Sequence, residues 1–473
     1  MNRKKIGLFT GPFLFVIVFF FEPFAELPAD ANAVLATTLW VATWWLSEAL
    51  PIAANALLPI VLLPLTGGAP ITQTTAAYGD KMLYLFLGGF IIAIAIQKWN
   101  LHKRIALFII SKVGTNAQGI VLGFILATGL LSMWISNTAT TLMMITIATA
   151  LIAQIRDLSD RSDTSSFFKA LLLGIAFSAS IGGVATLVGT PTNPIFVAVV
   201  QTLYGSEFSF ASWMAFALPF SLMMLIVCWL VLTRLALPVH KVYLPIGKEM
   251  IRDELNKLGK MGYEEKIISG VFILTAIMWI TRSFILNLWI PGINDTVIAI
   301  AAATLMFIIP TKQKDRTLLT WEEAERLPWG VIILFGGGLS LAAAFQSSGL
   351  AEWLGLKLTL VGDMQLLLII LIIALAVNFL TEVTSNVATA SIMLPVLASL
   401  ADAIDVHPYI LMVPATMAAS CAFMLPIATG PNAIAFSSGE LKMNDMVRSG
   451  IWLNVTSSLL ISLLVYFILP YFL

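Results

Sequence analysis

Ser136-Asn137-Thr138-Ala139-Thr140 recurs 249 residues later as Ser385-Asn386-Val387-Ala388-Thr389, and both copies interrupt long apolar runs. The same offset carries Leu85-Phe86-Leu87-Gly88-Gly89 onto Leu334-Phe335-Gly336-Gly337-Gly338, Gln97 onto Gln346, Leu101 onto Leu350 and Ser132 onto Thr381. Separated blocks sharing one register mark an internal repeat, so the chain is read as two related halves. Small polar residues set inside hydrocarbon and duplicated in this way point to a transporter whose site lies between the repeats.

Hydrophobic residues make up 59% of the chain and charged residues 11%. A soluble domain carries about 25% charged residues, so this chain cannot cover a surface facing water. Apolar runs near the ~20 residues that span a bilayer recur throughout, for example at 211–232 and 451–473. The expectation is an all-α polytopic membrane protein with about eleven transmembrane helices plus two re-entrant hairpins in an inverted repeat. A formal net charge of zero argues against nucleic acid as a partner. Cys228 and Cys421 sit in apolar runs and read as inert core residues rather than a disulfide or a metal pair. His102, His240 and His407 lie outside the repeated polar blocks, and no acid pair or Ser/His pair stands at depth. The chain is therefore not read as an enzyme.

The N-terminus has two readings. Arg3-Lys4-Lys5, the apolar 6–21 and Ala31-Asn32-Ala33 resemble a signal peptide with its cleavage site. The preferred reading is a retained first helix whose basic flank stays in the cytoplasm. The longest polar stretch, 238–266, carries Lys241, Lys248, Arg252, Lys257, Lys260 and Lys266 and is assigned to the cytoplasm. It divides a first repeat, 34–237, from a second, 267–473, with 1–33 as an N-terminal helix and connection. An odd number of spans then leaves Leu473 outside.

Each half runs in the same order: a Gly-rich helix start, an apolar run broken by Ser-Asn, then a run broken by a Gly/Pro/Asn cluster. The clusters are Gly189-Thr190-Pro191-Thr192-Asn193-Pro194 and Ala428-Thr429-Gly430-Pro431-Asn432, now 239 residues apart. Unpaired backbone groups in hydrocarbon cost several kcal/mol each, so helices break there only where protein, water or ligand satisfies them. A broken helix exposes carbonyls at one end and amides at the other. Carbonyls with Ser, Thr and Asn oxygens suit a hard cation such as sodium, and helix N-terminal amides suit a carboxylate or sulfate. Hydroxyls in membrane helices also bond their own backbone or glue helices together. Two Ser-Asn pairs in one register, each followed by a second break, favour the site. Glu382 lies beside the second pair, but its repeat counterpart is Met133, so it is left outside the duplicated constellation. Glu48 and Glu382 are open to a proton-relay or cation-neutralising role, or to a place at a helix end.

These residues resemble the divalent anion/sodium symporter family of dicarboxylate, citrate and sulfate carriers, over most of the chain. Trp44-Trp45-Leu46-Ser47-Glu48-Ala49-Leu50-Pro51 and Phe86-Leu87-Gly88-Gly89-Phe90 look like two of its helix blocks. The most specific stretch runs from Ala419-Ser420-Cys421-Ala422-Phe423-Met424 through Leu425-Pro426-Ile427-Ala428-Thr429-Gly430-Pro431-Asn432. The resemblance implies a homodimer in which each protomer has scaffold and transport domains, with the Ser-Asn motifs at the tips of two hairpins entering from opposite faces. It implies a first sodium site at Ser132, Ser136, Asn137 and Gly189, and a second at Thr381, Thr384, Asn386 and Ala428. Substrate carboxylates would meet Asn137, Thr138, Ser385, Asn386 and Thr429, with Val387 in place of the Thr of some members.

The function expected is sodium-coupled import of a C4-dicarboxylate (succinate, malate or fumarate) by an elevator motion, with sodium ions co-transported and no organic cofactor. A citrate or sulfate carrier shares the motif. An electroneutral exchanger of the same fold is the main competitor, because a fixed cationic side chain can replace sodium. No Lys, Arg or His lies within either Ser-Asn block or Gly/Pro/Asn break, which favours the symporter.

Overall fold

A chain with so few charges satisfies its backbone by closing hydrogen bonds within each segment, and helices do this in hydrocarbon. The computed structural model describes residues 3–24, 26–114, 116–158, 161–239, 247–313, 315–358 and 364–472. These are helices and connections; the only strand-like pairing among them is an isolated bridge between Pro310 and Thr317. Nine of the described helices are long and apolar enough to cross a bilayer. With the hairpins set aside, each broken helix counted once and the shorter or more polar segments included, eleven crossings are read among the described residues. They are Arg3–Phe21, Ala29–Ser47, Ile52–Thr66, Lys81–Lys98, the broken pair Arg161–Gly183 and Thr192–Tyr204, and Phe210–Ala236. Then follow Tyr263–Trp289, Asp295–Ile308, Trp329–Ser347, the broken pair Tyr409–Ala419 and Gly430–Ser437, and Met443–Phe467.

The repeat is visible in the element boundaries. The first hairpin climbs through Ala117–Ser132 and returns through Asn137–Leu158; the second climbs through Leu366–Thr381 and returns through Asn386–Ala403. The two climbing arms are both 16 residues long, and each starts and ends 249 residues from its counterpart. Lys81–Lys98 and Trp329–Ser347 are equivalent, and they are the fourth and ninth of the eleven crossings. Four crossings, an even number, lie between them, so the halves thread the membrane in opposite senses.

The halves are not separate globules. A Cβ added at Gly88 would lie 2.7 Å from the backbone of Ala299 in the second half. At the equivalent Gly337 it would lie 2.5 Å from the carbonyl oxygen of Ala56 in the first. Each Gly-rich helix thus packs backbone-to-backbone on a helix from the other repeat, which small residues permit.

Two of the boundaries drawn from sequence fall inside helices. Position 33/34 lies within Ala29–Ser47, so the joint after the first helix is at 22–28. Ala31, Asn32 and Ala33, which resemble a cleavage site, are buried there, and the Asn32 amide donates to the Val18 carbonyl at 2.9 Å. Position 266/267 lies within Tyr263–Thr281. Residues 240–246 of the inter-repeat stretch, with Lys241, lie outside the described residues, as does Leu473. The described part of that stretch includes the helix Gly247–Lys257, whose Glu254 meets both Lys257 at 2.7 Å and Lys103 at 3.4 Å. The two ammonium groups hold its carboxyl below the usual range.

The threading predicts topology. Single cysteines at Lys257, Ser136 and Ser385, in a background lacking Cys228 and Cys421, are probed with a membrane-impermeant thiol reagent. Lys257→Cys labels from the side of Arg3-Lys4-Lys5, the cytoplasm, and the two tips label from opposite faces. Both tips labelling from one side under all conditions would mean a parallel repeat.

Candidate functional site

The two hairpin tips and the two helix breaks meet around one cavity of about 680 Å³. Ser136, Asn137 and Thr138 line it from the first tip, and Thr384, Ser385, Asn386 and Val387 from the second. Gly189, Thr190 and Pro191 face it from the first break, and Ala428, Thr429, Gly430 and Pro431 from the second.

Each break is held open by an asparagine. The Asn193 amide nitrogen donates to the carbonyls of Gly183, Val184 and Thr186 at 3.2, 3.1 and 2.7 Å. The equivalent Asn432 donates to Ala422 and Leu425 at 3.1 and 3.0 Å. These side chains serve carbonyls at the ends of the interrupted helices, where Thr186 and Leu425 also accept a backbone N–H from Gly189 and Ala428 at 3.4 and 3.2 Å. Thr429 then caps the helix Gly430–Ser437 by accepting from the Asn432 backbone at 3.2 Å. Ser420 Oγ and Thr192 Oγ1 lie 2.8 Å apart and tie one break to the other.

The tips repeat one side-chain contact. Ser132 donates to Asn137 Oδ1 at 2.5 Å, and Thr381 donates to Asn386 Oδ1 at 2.7 Å, 249 residues on. Ser132 and Thr381 are fully buried and sit behind the tips, outside the cavity lining. Asn137 Oδ1 also has the carbonyl oxygens of Ala179 and Gly189 within 3.1 and 3.2 Å. Turned over, the same amide would donate to all three oxygens. With the Asn137 oxygen inward and the Ser132 hydroxyl hydrogen turned away, this nook of four oxygens from Ser132, Asn137, Ala179 and Gly189 would suit a bare alkali cation. The C-terminal end of Arg161–Gly183, the negative end of its dipole, adjoins it: a Cβ on Gly183 would meet Asn137 Oδ1 at 2.6 Å. At the second tip, Thr381 Oγ1 also lies 3.0 Å from the Ala419 carbonyl oxygen, and Thr384 Oγ1 lies 2.6 Å from Thr389 Oγ1.

Four helices, Asn137–Leu158, Asn386–Ala403, Thr192–Tyr204 and Gly430–Ser437, have their N-termini at this cavity. Positive dipole ends and free amides that converge on one space favour an anion there. Oxygen nooks behind the tips and amide ends in front of them give one site two complementary halves. Of the residues singled out from sequence, Ser136, Asn137, Thr138, Gly189, Thr384, Ser385, Asn386, Val387, Ala428 and Thr429 all line the cavity.

Sequence reasoning did not assign Phe86, Phe90 and Gln97, which form part of the wall, or Ala179, whose carbonyl faces Asn137. Nor did it assign Arg326, which stands outside the tips and breaks yet lines the cavity from the connection before Trp329–Ser347. Glu48, with its backbone in the left-handed region at φ 51°, is the one acid in the lining. Its carboxylate is 4.0 Å from Lys4 Nζ. Gln346, the repeat counterpart of Gln97, instead donates to the Leu203 carbonyl at 2.7 Å. Glu382 does not line the cavity.

An apolar helical body in which inverted hairpins meet broken helices around one cavity is that of a polytopic membrane transport protein. The sodium:sulfate symporter transmembrane region family model matches residues 3–471, and the chain belongs to this family, the divalent anion/sodium symporters. The sodium-dependent dicarboxylate transporter SdcS of Staphylococcus aureus is 47% identical over 476 residues, covering 99% of this chain and 91% of the relative. Its namesake in Staphylococcus saprophyticus is 46% identical over 477 residues, with 99% and 92% covered. Among solved structures, the YdaH transporter of Alcanivorax borkumensis aligns over 94% of this chain and 99% of its own, with a TM-score of 0.59 at 13% identity. MtrF of Neisseria gonorrhoeae, from a class of antimetabolite efflux pumps, aligns over 97% and 96% with a TM-score of 0.56 at 11% identity. These two likenesses concern the fold.

Asn137→Ala and Asn386→Ala each remove the oxygen that a tip hydroxyl meets. Each is expected to lower uptake of a labelled dianion into proteoliposomes by ~100-fold or more, the equivalent of roughly 3 kcal/mol, while the protein elutes as a folded species. Uptake at the wild-type level in either variant would make the Ser-Asn pairs helix glue.

Proposed function

We propose that the chain is a sodium-coupled symporter that imports C4-dicarboxylates such as succinate, malate or fumarate across the cell membrane. The observation that carries the reading is the duplicated Ser/Thr–Asn contact, with both tips and both breaks facing one cavity. The names and high coverage of the Staphylococcus relatives support it.

In this reading one sodium ion is bound by Ser132, Ser136, Asn137 and Gly189, and a second by Thr381, Thr384, Asn386 and Ala428. The ions offset the carbonyl dipoles at the tips and fix the two asparagine amides with their oxygens inward. The amide nitrogens then point away from the ions. A dianion enters between the tips, where Asn137, Thr138, Ser385, Asn386 and Thr429 and the helix N-termini meet its carboxylates. Val387 offers an apolar methyl surface where Thr138 has a hydroxyl, so a dicarboxylate's methylene stem fits better than the compact oxygen shell of sulfate. Coupling follows if the half-loaded chamber moves poorly, because only differential stability of the loaded states drives transport. The hairpins and broken helices move as one body against the remaining helices, in an elevator, and the protein works as a homodimer with a cytoplasmic N-terminus and an external C-terminus.

A second reading has one specific observation in its favour. Arg326 supplies the cavity wall with a fixed cation, which an exchanger of this fold needs in place of sodium.

Labelled succinate uptake into proteoliposomes, with sodium or choline outside at matched membrane potential, separates the two. The symporter takes up at least about tenfold more with sodium, and Arg326→Gln raises its KM several-fold while leaving sodium dependence intact. Equal uptake from both buffers, abolished by Arg326→Gln, identifies the exchanger. Unlabelled malate, citrate, tartrate and sulfate as competitors rank the substrates.

A further inference from the structure

The two repeats close the same joint with opposite chemistry. In the first half the Thr186 hydroxyl of the break donates to the carbonyl of Met133 at the hairpin tip. In the second half the equivalent positions are Leu425 and Glu382, by the offsets of 239 and 249 already noted. There the tip supplies a carboxylate and the break supplies amides. Glu382 Oε1 accepts from the backbone of Phe423 at 2.7 Å and of Met424 at 2.9 Å, and Oε2 accepts from Leu425 at 3.0 Å. The side-chain amide of Asn454, on the last helix, adds a fourth donor at 2.7 Å.

Three successive backbone N–H groups wrapped around an acid form an anion nest, filled here by the protein's own side chain. Glu382 is 3% exposed, and both of its oxygens meet donors, the arrangement that fits the ionised form. Among the described residues it has no ion-pair partner. In its ionised form, Glu382 places a full negative charge at the root of the second tip. Thr381 precedes it directly, Thr384 follows two residues on, and the clamped segment leads into Ala428. At the first tip the corresponding side chain, Met133, is neutral.

The structure assigns Glu382 as a positioning residue whose charge makes the second cation site the tighter of two unequal sites, so that sodium loads there first. The assignment rests on the symport reading. A charge a few ångströms from a cation inside a protein changes its affinity by about tenfold or more even after effective dielectric screening. The carboxylate acts at a distance, and its own oxygens stay occupied by the nest. Its second task is mechanical: it holds Phe423–Leu425 in the unwound form that leads into Ala428.

The test separates charge from clamping. Glu382→Gln removes the charge and keeps the shape; Asn454→Ala keeps the charge and removes one clamp. Sodium K0.5 is measured in each for thermal stabilisation of the purified protein and for succinate uptake, with succinate KM taken at saturating sodium. E382Q is expected to raise sodium K0.5 about tenfold and to leave succinate KM within about twofold, while N454A leaves sodium K0.5 within about twofold. An unshifted K0.5 in E382Q overturns the proposal, and so does an equal shift in both variants. Should E382Q not be recovered folded, N454A decides alone: an unchanged K0.5 supports the role of the charge, and a tenfold rise overturns it. A wild type that ignores sodium in both readouts fails the symport reading itself, a result distinct from all of these.

Discussion

Everything at the site depends on carbonyl groups that have lost their helical partners in a medium without water. Each would cost several kcal/mol if left unserved. Asn193 and Asn432 serve them, and the breaks they hold open are what give the tips a chamber to enter. The cavity is thus a by-product of backbone accounting. Helix ends that would be liabilities elsewhere in the membrane become the amides and carbonyls that face the chamber, and the same two asparagines decide which groups stay free for a ligand.

The parts of this arrangement that were legible in the sequence are those in which local residues do local work. Ser132 reaches Asn137 within one turn, as Thr381 reaches Asn386, so one offset reveals both tips and both partners. The Gly/Pro/Asn clusters announce the breaks for the same reason. Arg326, Phe86 and Phe90 carry no such mark. They come from segments whose approach to the tips is set by packing, and nothing in their own neighbourhood of sequence records it. The start of the second helix was hidden by its composition. Ala31-Asn32-Ala33 looks like a cleavage site, yet Asn32 is spent on a carbonyl of the preceding helix. The charge at Glu382 was visible, but its meaning was not, because its partners are backbone groups more than forty positions away.

The duplication is closest where backbone does the work and loosest where side chains do. The climbing hairpin arms keep their length and their register, while Val387 replaces Thr138 and Glu382 replaces Met133 in the second repeat. A chamber built this way has symmetric walls and asymmetric contents. It can present equivalent surfaces to the two sides of the membrane in turn and still treat its two ends differently, which a carrier of several unlike solutes requires.

The exchange of packing between halves also constrains how the molecule is made. Gly88 is designed around a close approach to Ala299, and Gly337 around Ala56. When the helix bearing Gly88 leaves the ribosome, its partner has not yet been synthesised. At about 5–20 residues per second it arrives on the order of ten to forty seconds later. The nascent first half must wait in the bilayer with its glycine face against lipid, where the quality-control machinery can reach it. A message cut short after the first repeat would therefore yield a half with no surface on which to finish folding, and the cell would be expected to clear it rather than accumulate it.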